Sequence, residues 1–173
     1  KQSKMVAELK DLNAQFSGTM DSVNLTSNLR VNNSIVTFIM DKEPYLNDAK
    51  IRLKIPSTVV LSKSLVEFGE SEFSINGIDL FFKGVVEDDS INKRINTNIE
   101  YRTNKFSIPS LIALIPPAFQ SYTEGMTLDG FVTSDGKVSG SYSAAGMPLM
   151  DIHVTLSDGN IAYSALPWPL SNA

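Results

Sequence analysis

The chain has no cysteine among its 173 residues, so it carries no disulfide, no thiolate metal site and no cysteine nucleophile. It has one histidine, His153, and one tryptophan, Trp168. A lone histidine acts as a general base only beside a nucleophile and an orienting partner, and no sequence motif supplies either. The G-x-S-x-G elbow, H-E-x-x-H, a phosphate loop and G-x-G-x-x-G are all missing. Basic excess is missing too: the net charge is −4, and the 15 Lys and Arg are scattered singly or in pairs such as Lys93-Arg94. Neutralising a phosphate backbone needs the opposite balance, so nucleic acid is not an expected partner. The longest unbroken apolar run, Leu111 to Ile115, falls far short of the roughly 20 residues that cross a bilayer. Because the chain opens Lys1-Gln2-Ser3-Lys4 without an initiator methionine, it is expected to be a soluble section of a longer protein, with any signal or anchor outside it.

What the sequence does have is alternation. Its 42% hydrophobic and 20% charged residues can offset the entropy of ordering, and residues 1–173 fit one domain. Val23, Leu25, Leu29 and Val31 alternate with Asn24, Thr26, Asn28 and Arg30. Ile51, Leu53 and Ile55 alternate with Arg52 and Lys54, and Ile95, Thr97, Ile99 and Tyr101 alternate with Asn96, Asn98, Glu100 and Arg102. A period of two is that of a strand whose alternate side chains point to opposite faces, so each of these reads as a half-buried strand. Met150, Ile152, Val154 and Leu156 repeat the pattern, and Asp158-Gly159 provides turn chemistry for a terminal hairpin returning through Ile161 to Ser164. Three further segments, Ile35–Met40, Thr58–Leu61 and Ile78–Val86, are apolar on both sides; they are covered on both faces or bend at a glycine such as Gly84.

Strand starts recur about every 10 to 15 residues, with Asn32-Asn33, Asn47-Asp48, Asn76-Gly77, Asp88-Asp89 and Asp135-Gly136 as separators. The expected fold is mainly β: an antiparallel meander or curved, elongated sheet of about 10–12 short strands. One short helix is expected near 107–116, where Ser107 caps, Pro109 fits the first turn and Pro116-Pro117 ends the ladder. The N-terminal segment fits either a helix or a strand, and a strand running into Gly18 continues the meander.

Few residues invite a chemical role. Alternation puts His153 on a polar strand face with Asp151 and Thr155, in solvent. Glu87-Asp88-Asp89 lacks the alternating ligands and central glycine of a calcium loop and reads as a solvated turn, so no metal and no cofactor are expected. Trp168, between Pro167 and Pro169, is expected to cover one end of the sheet. The remaining candidates are the apolar strand faces. In a sandwich they form a dry core; in an open sheet they line a groove for acyl chains, at about 0.8 kcal/mol for each CH₂ removed from water.

The order of motifs in the C-terminal third resembles that of the AsmA-like family of Gram-negative envelope proteins, notably its Bacteroidetes-type members. The resemblance is carried by Leu111-Ile112-Ala113-Leu114-Ile115-Pro116, Gly125-Met126-Thr127-Leu128-Asp129-Gly130, Asp135-Gly136-Lys137-Val138-Ser139-Gly140-Ser141-Tyr142, Met147-Pro148, and Asp158-Gly159-Asn160-Ile161-Ala162-Tyr163 running into Leu166-Pro167. It implies a periplasmic β region anchored to the inner membrane by a helix outside this chain. It also implies a non-enzymatic role in outer-membrane assembly or lipid homeostasis. Under that resemblance Ile51, Leu53, Ile55, Leu80, Phe82, Ile95 and Ile99 face phospholipid acyl chains, and other envelope proteins are partners. The alternative expectation is a structural or protein-interaction β module with a closed, dry core and no lipid.

Overall fold

A computed structural model describes residues 5–40, 43–116, 125–163 and 170–171. Expectations for Pro117, Ser164 and Leu166 to Pro169, Trp168 included, lie outside the described residues. The described strands form one 11-stranded sheet. They are β1 (Met5–Lys10), β2 (Ala14–Met20), β3 (Asn24–Met40), β4 (Glu43–Val60), β5 (Leu65–Ile75), β6 (Ile78–Asp89), β7 (Arg94–Thr103), β8 (Phe106–Ser107), β9 (Met126–Tyr142), β10 (Leu149–Tyr163) and β11 (Leu170–Ser171). The order across the sheet is β1-β3-β4-β5-β6-β7-β9-β10-β11, with β2 also on β3 and β8 also on β9. Every pairing is antiparallel. The mainly-β expectation holds, and the ambiguous N-terminal segment is strand.

The strands are longer than the turn signals imply. β3 and β4 run 17 and 18 residues because Asn32-Asn33 and Asn47-Asp48 do not end them. Asn33 and Asp48 take positive φ, 47° and 44°, at register shifts, so the separators are bulges inside continuous strands. Asp135-Gly136 likewise lies mid-strand in β9. The expected terminal hairpin at Asp158-Gly159 is a bulge as well: Asp158 has φ 55°, and β10 shifts register there against β9 between Ser157 and Asn160. Of the five separators, Asn76-Gly77 is a tight turn, clamped by Asn104, whose side-chain nitrogen donates to the Gly77 carbonyl at 3.1 Å.

Asp88-Asp89 closes β6. The Asp89 carboxylate accepts from the Asn92 side chain at 2.9 Å and from Arg94 Nε at 2.8 Å; these bonds hold its pKa below the ordinary carboxylate value. The acidic run is therefore not the solvated turn expected: Glu87, Asp88 and Asp89 are the last residues of β6, paired with Asn96, Ile95 and Arg94, and the turn follows at 90–93. The helix α1 (Ile108–Ile112) is shorter than the expected segment: Ser107 Oγ accepts from the Ser110 N–H at 3.2 Å and Pro109 sits in the first turn, as the residues dictate. The chain leaves α-helical geometry before Pro116.

Burial is sparse. Among the described residues the buried hydrophobic side chains are Val31, Ala49 and Ile78. A sandwich of this length would bury far more, because two sheets share an inner layer. Here a single sheet has no second layer on it among the described residues, so most apolar side chains are half-buried against neighbours in their own sheet.

Candidate functional face

Residues directly opposite one another in an antiparallel ladder share a face, so register fixes which side chains lie together. Leu53 pairs with Phe73, which pairs with Leu80. Ser71 pairs with Phe82, Phe82 with Tyr101, and Tyr101 with Gly136, which pairs with Ile152. Phe68 pairs with Gly84, which pairs with Ile99, Val138 and then Met150. These rows run from β4 to β10 on one face. Upstream, Leu25, Leu29 and Val31 join the same face opposite Val59, Ile55 and Leu53, with Phe16 and Met20 beyond them on β2.

All seven sequence-derived candidates, Ile51, Leu53, Ile55, Leu80, Phe82, Ile95 and Ile99, fall on this apolar face, on β4, β6 and β7. The sequence reading missed Phe68, Phe73 and Val138, and it recognised the alternating stripe Met150, Ile152, Val154, Leu156 without assigning it to this face; together they complete the rows. Their signal was the same alternation, obscured in β5 by the bulge between Phe68 and Ser71. Phe68 and Phe82 meet edge-on with ring centroids 6.0 Å apart.

The face holds hydroxyls, and they bond within the protein. Ser27 Oγ lies 2.8 Å from Ser57 Oγ, and Tyr101 Oη lies 3.1 Å from Ser134 Oγ. Ser71 Oγ donates to the Gly69 carbonyl at 2.9 Å. A hydroxyl already partnered does not need water, which lowers the cost of covering the face with hydrocarbon. The face carries glycines too. A side chain at Gly136 would run into the Asp151 carbonyl and lie 3.0 Å from the Tyr101 ring, which occupies the space beside the glycine.

The opposite face is a charged lattice. Arg52 reaches Glu72 at 2.7 Å and Asp79 at 3.3 Å, Lys83 reaches Glu70 at 3.0 Å, and Lys137 lies 3.6 Å from Glu100. Arg102 stacks 4.4 Å above the Phe81 ring. The Glu70 carboxylate, chiefly by its hydrogen bond, raises the Lys83 pKa above the ordinary lysine value. A shallow recess of about 540 Å³ opens on this side, among Glu70, Lys83, Glu100, Arg102, Asp135 and His153. His153 is on this charged face, as expected from alternation, with Asp135 and Asp151 each 3.9 Å from its ring nitrogens. Among the described residues no group of three or more histidine, aspartate or glutamate side chains is placed to hold a metal ion. No described helix is long and apolar enough to cross a membrane.

No protein-family model, curated protein or solved structure matches this chain. The two faces are therefore the observations from which a function must be argued.

Proposed function

We propose that this chain is a section of a Gram-negative envelope protein of AsmA-like type, and that its apolar face shields lipid acyl chains without catalysing a reaction. The observation that carries the reading is one apolar face continuous from β2 to β10, with no second layer on it among the described residues, backed by a face of ion pairs. Strand pairing satisfies the backbone of the inner strands, internal hydrogen bonds satisfy the hydroxyls of Ser27, Ser57, Ser71, Tyr101 and Ser134, and the apolar side chains remain as unspent contact area. Hydrocarbon of indefinite length suits such a face better than a compact polar ligand does, because the rows repeat across strands without a closed end. Each CH₂ covered is worth about 0.8 kcal/mol, so a few methylenes per chain give binding that remains reversible.

In this reading the occupants are phospholipid acyl chains, the setting is the periplasm, and the inner-membrane helix belongs to sequence outside this chain. The contribution is to outer-membrane assembly or lipid homeostasis. The ordered motifs from Leu111 to Tyr163 support the family reading, and the apolar face supports the mechanism. A photo-reactive amino acid placed at Leu53, Phe82 or Ile99 in cells should give lipid adducts recoverable by mass spectrometry. The same residue at Lys54, Lys83 or Asn98, one position along on the charged face, should give none. Adducts from neither set, or equally from both, would refute the reading.

A further inference from the structure

Three irregularities line up across adjacent strands. Between β1 and β2 the ladder is interrupted at residues 11–13, where Asp11 has φ 52°. Opposite that break, β3 bulges between Val31 and Ser34, with Asn33 at φ 47°. β4 bulges in turn between Leu46 and Ala49, with Asp48 at φ 44°. Each bulge bends its strand, so side by side they crease the sheet. The side chains show which way it bends. Val31, Ala49 and Ile78 are all the buried hydrophobic side chains among the described residues, and Ser34 beside them is 0% exposed. Val31 opposes Leu53, Ser34 opposes Ile51, Ala49 lies two residues along from Ile51, and Ile78 continues the row from Ile51 through Ile75. All four are therefore on the apolar face, and side chains crowd on the inside of a bend.

Beyond the crease, β1 and residues 35–40 and 43–49 are tied to one another. Asp48 Oδ1 accepts from Lys10 Nζ at 3.0 Å and from Thr37 Oγ1 at 3.3 Å, and the Asp48 N–H donates to Thr37 Oγ1 at 3.1 Å, which joins β1, β3 and β4. Their hold on the rest of the sheet is narrower. The pairing of β4 with β5 stops at Ile51 and Ile75, so residues 43–50 run past the end of β5. At that point the Lys50 N–H donates to Asn76 Oδ1 at 2.8 Å, and the Asn76 N–H donates to the Lys50 carbonyl at 2.9 Å. We infer that residues 5–10, 35–40 and 43–49 form a hinged flap that leans over one end of the apolar face and is latched by Asn76. Asp11, Asn33 and Asp48 are the hinge, residue types that tolerate positive φ and so can absorb a change of backbone angle. Opening the flap uncovers Val31, Ala49 and Ile78 as an entrance for an acyl chain, a role that rests on the function proposed above.

Hydrogen exchange of the full chain over a series of sub-denaturing urea concentrations reads the flap with no lipid present. Amides of residues 35–40 and 45–49 should share one free energy of opening with a shallow urea slope, while those of residues 80–86 in β6 follow the steep slope of global unfolding. β2 is the control, because it pairs with the same side of β3 across the crease and should not open with the flap. Asn76→Gly suits the positive φ of that position but removes the Oδ1 acceptor, so flap amides should exchange about fivefold faster. Asn76→Asp keeps an acceptor and should leave them unchanged. A single urea slope for flap and β6, or opening of β2 together with the flap, overturns the hinge. Flap exchange that Asn76→Gly leaves unchanged overturns the latch. Dihexanoyl phosphatidylcholine below its micelle concentration should then change exchange in the flap. A flap that opens by itself but ignores this phospholipid keeps the hinge and removes its acyl-chain role.

Discussion

Replacing Gly84 by alanine puts a methyl group where the backbone of β7 already sits. Gly84 has φ +145°, and a Cβ built there would overlap the Asn98 carbonyl oxygen and lie 2.7 Å from Ile99 Cα. Two costs add. The backbone conformation is one that L residues rarely adopt, at about 1–3 kcal/mol, and overpacking against immovable backbone costs roughly 1–3 kcal/mol more. The expected loss is about 3 kcal/mol, which for a domain of this size lowers the melting temperature by about 6–12 °C. Gly77→Ala is the internal control: φ is +86°, but nothing lies within 4 Å of the added methyl. Only the backbone cost applies there, about 1 kcal/mol and roughly 2–4 °C. Both variants would be melted by circular dichroism at one concentration, with urea midpoints as a second reading. If Gly84→Ala melts with Gly77→Ala or with the parent, the β6–β7 approach at Gly84 is wrong. The placement of Phe82 and Ile99 on one face would then lose its support.

Smaller perturbations follow from the same geometry. Ser107→Ala removes the hydroxyl that accepts from the Ser110 N–H and should cost about 1 kcal/mol, read as faster amide exchange at Ser110. Arg52→Ala breaks contacts to Glu72 and Asp79 that are partly exposed, so the loss should stay under about 1 kcal/mol in urea titrations. The Lys10 ammonium, by its hydrogen bond first and its charge second, holds the Asp48 carboxyl below its ordinary pKa. A depressed carboxylate stabilises the fold above its unfolded pKa and loses that contribution as pH falls through the folded value. The docking of β1 should therefore loosen as pH drops below about 4, visible in β1 amide resonances, and Asp48→Asn should make them insensitive to that drop.

How far the fold could be read depends on which residues are asked. Ile51-Leu53-Ile55 and Ile95-Ile99 were legible because period two survives in a strand whatever lies above it. The Ser107 cap and Pro109 were legible because capping is local. Asp135-Gly136 and Asp158-Gly159 were misread as turns for a tertiary reason. Gly136 is needed where Asp151 and Tyr101 close in, and Asp158 takes the positive φ of a bulge, so each residue type serves a strand interior as readily as a turn. The bulges at Asn33 and Asp48 hid the length of β3 and β4 in the same way. The candidate face was readable residue by residue, but alternation is identical in a sandwich and in an open sheet. What separates them is whether a second layer covers the sheet; among the described residues none does, and no local pattern encodes that.

Adjacent residues on β6 offer the most direct test of the apolar face. Phe82 lies on it against Phe68, whereas Phe81 lies on the charged face beneath Arg102. With Trp168 replaced by phenylalanine, a tryptophan introduced at 82 or at 81 becomes the sole tryptophan of the chain, excited selectively beyond the absorption of its tyrosines. Titration with a phospholipid brominated along its acyl chains should quench Phe82→Trp saturably and leave Phe81→Trp bright. Quenching at neither position, or equal quenching at both, would contradict the claim that this face holds acyl chains.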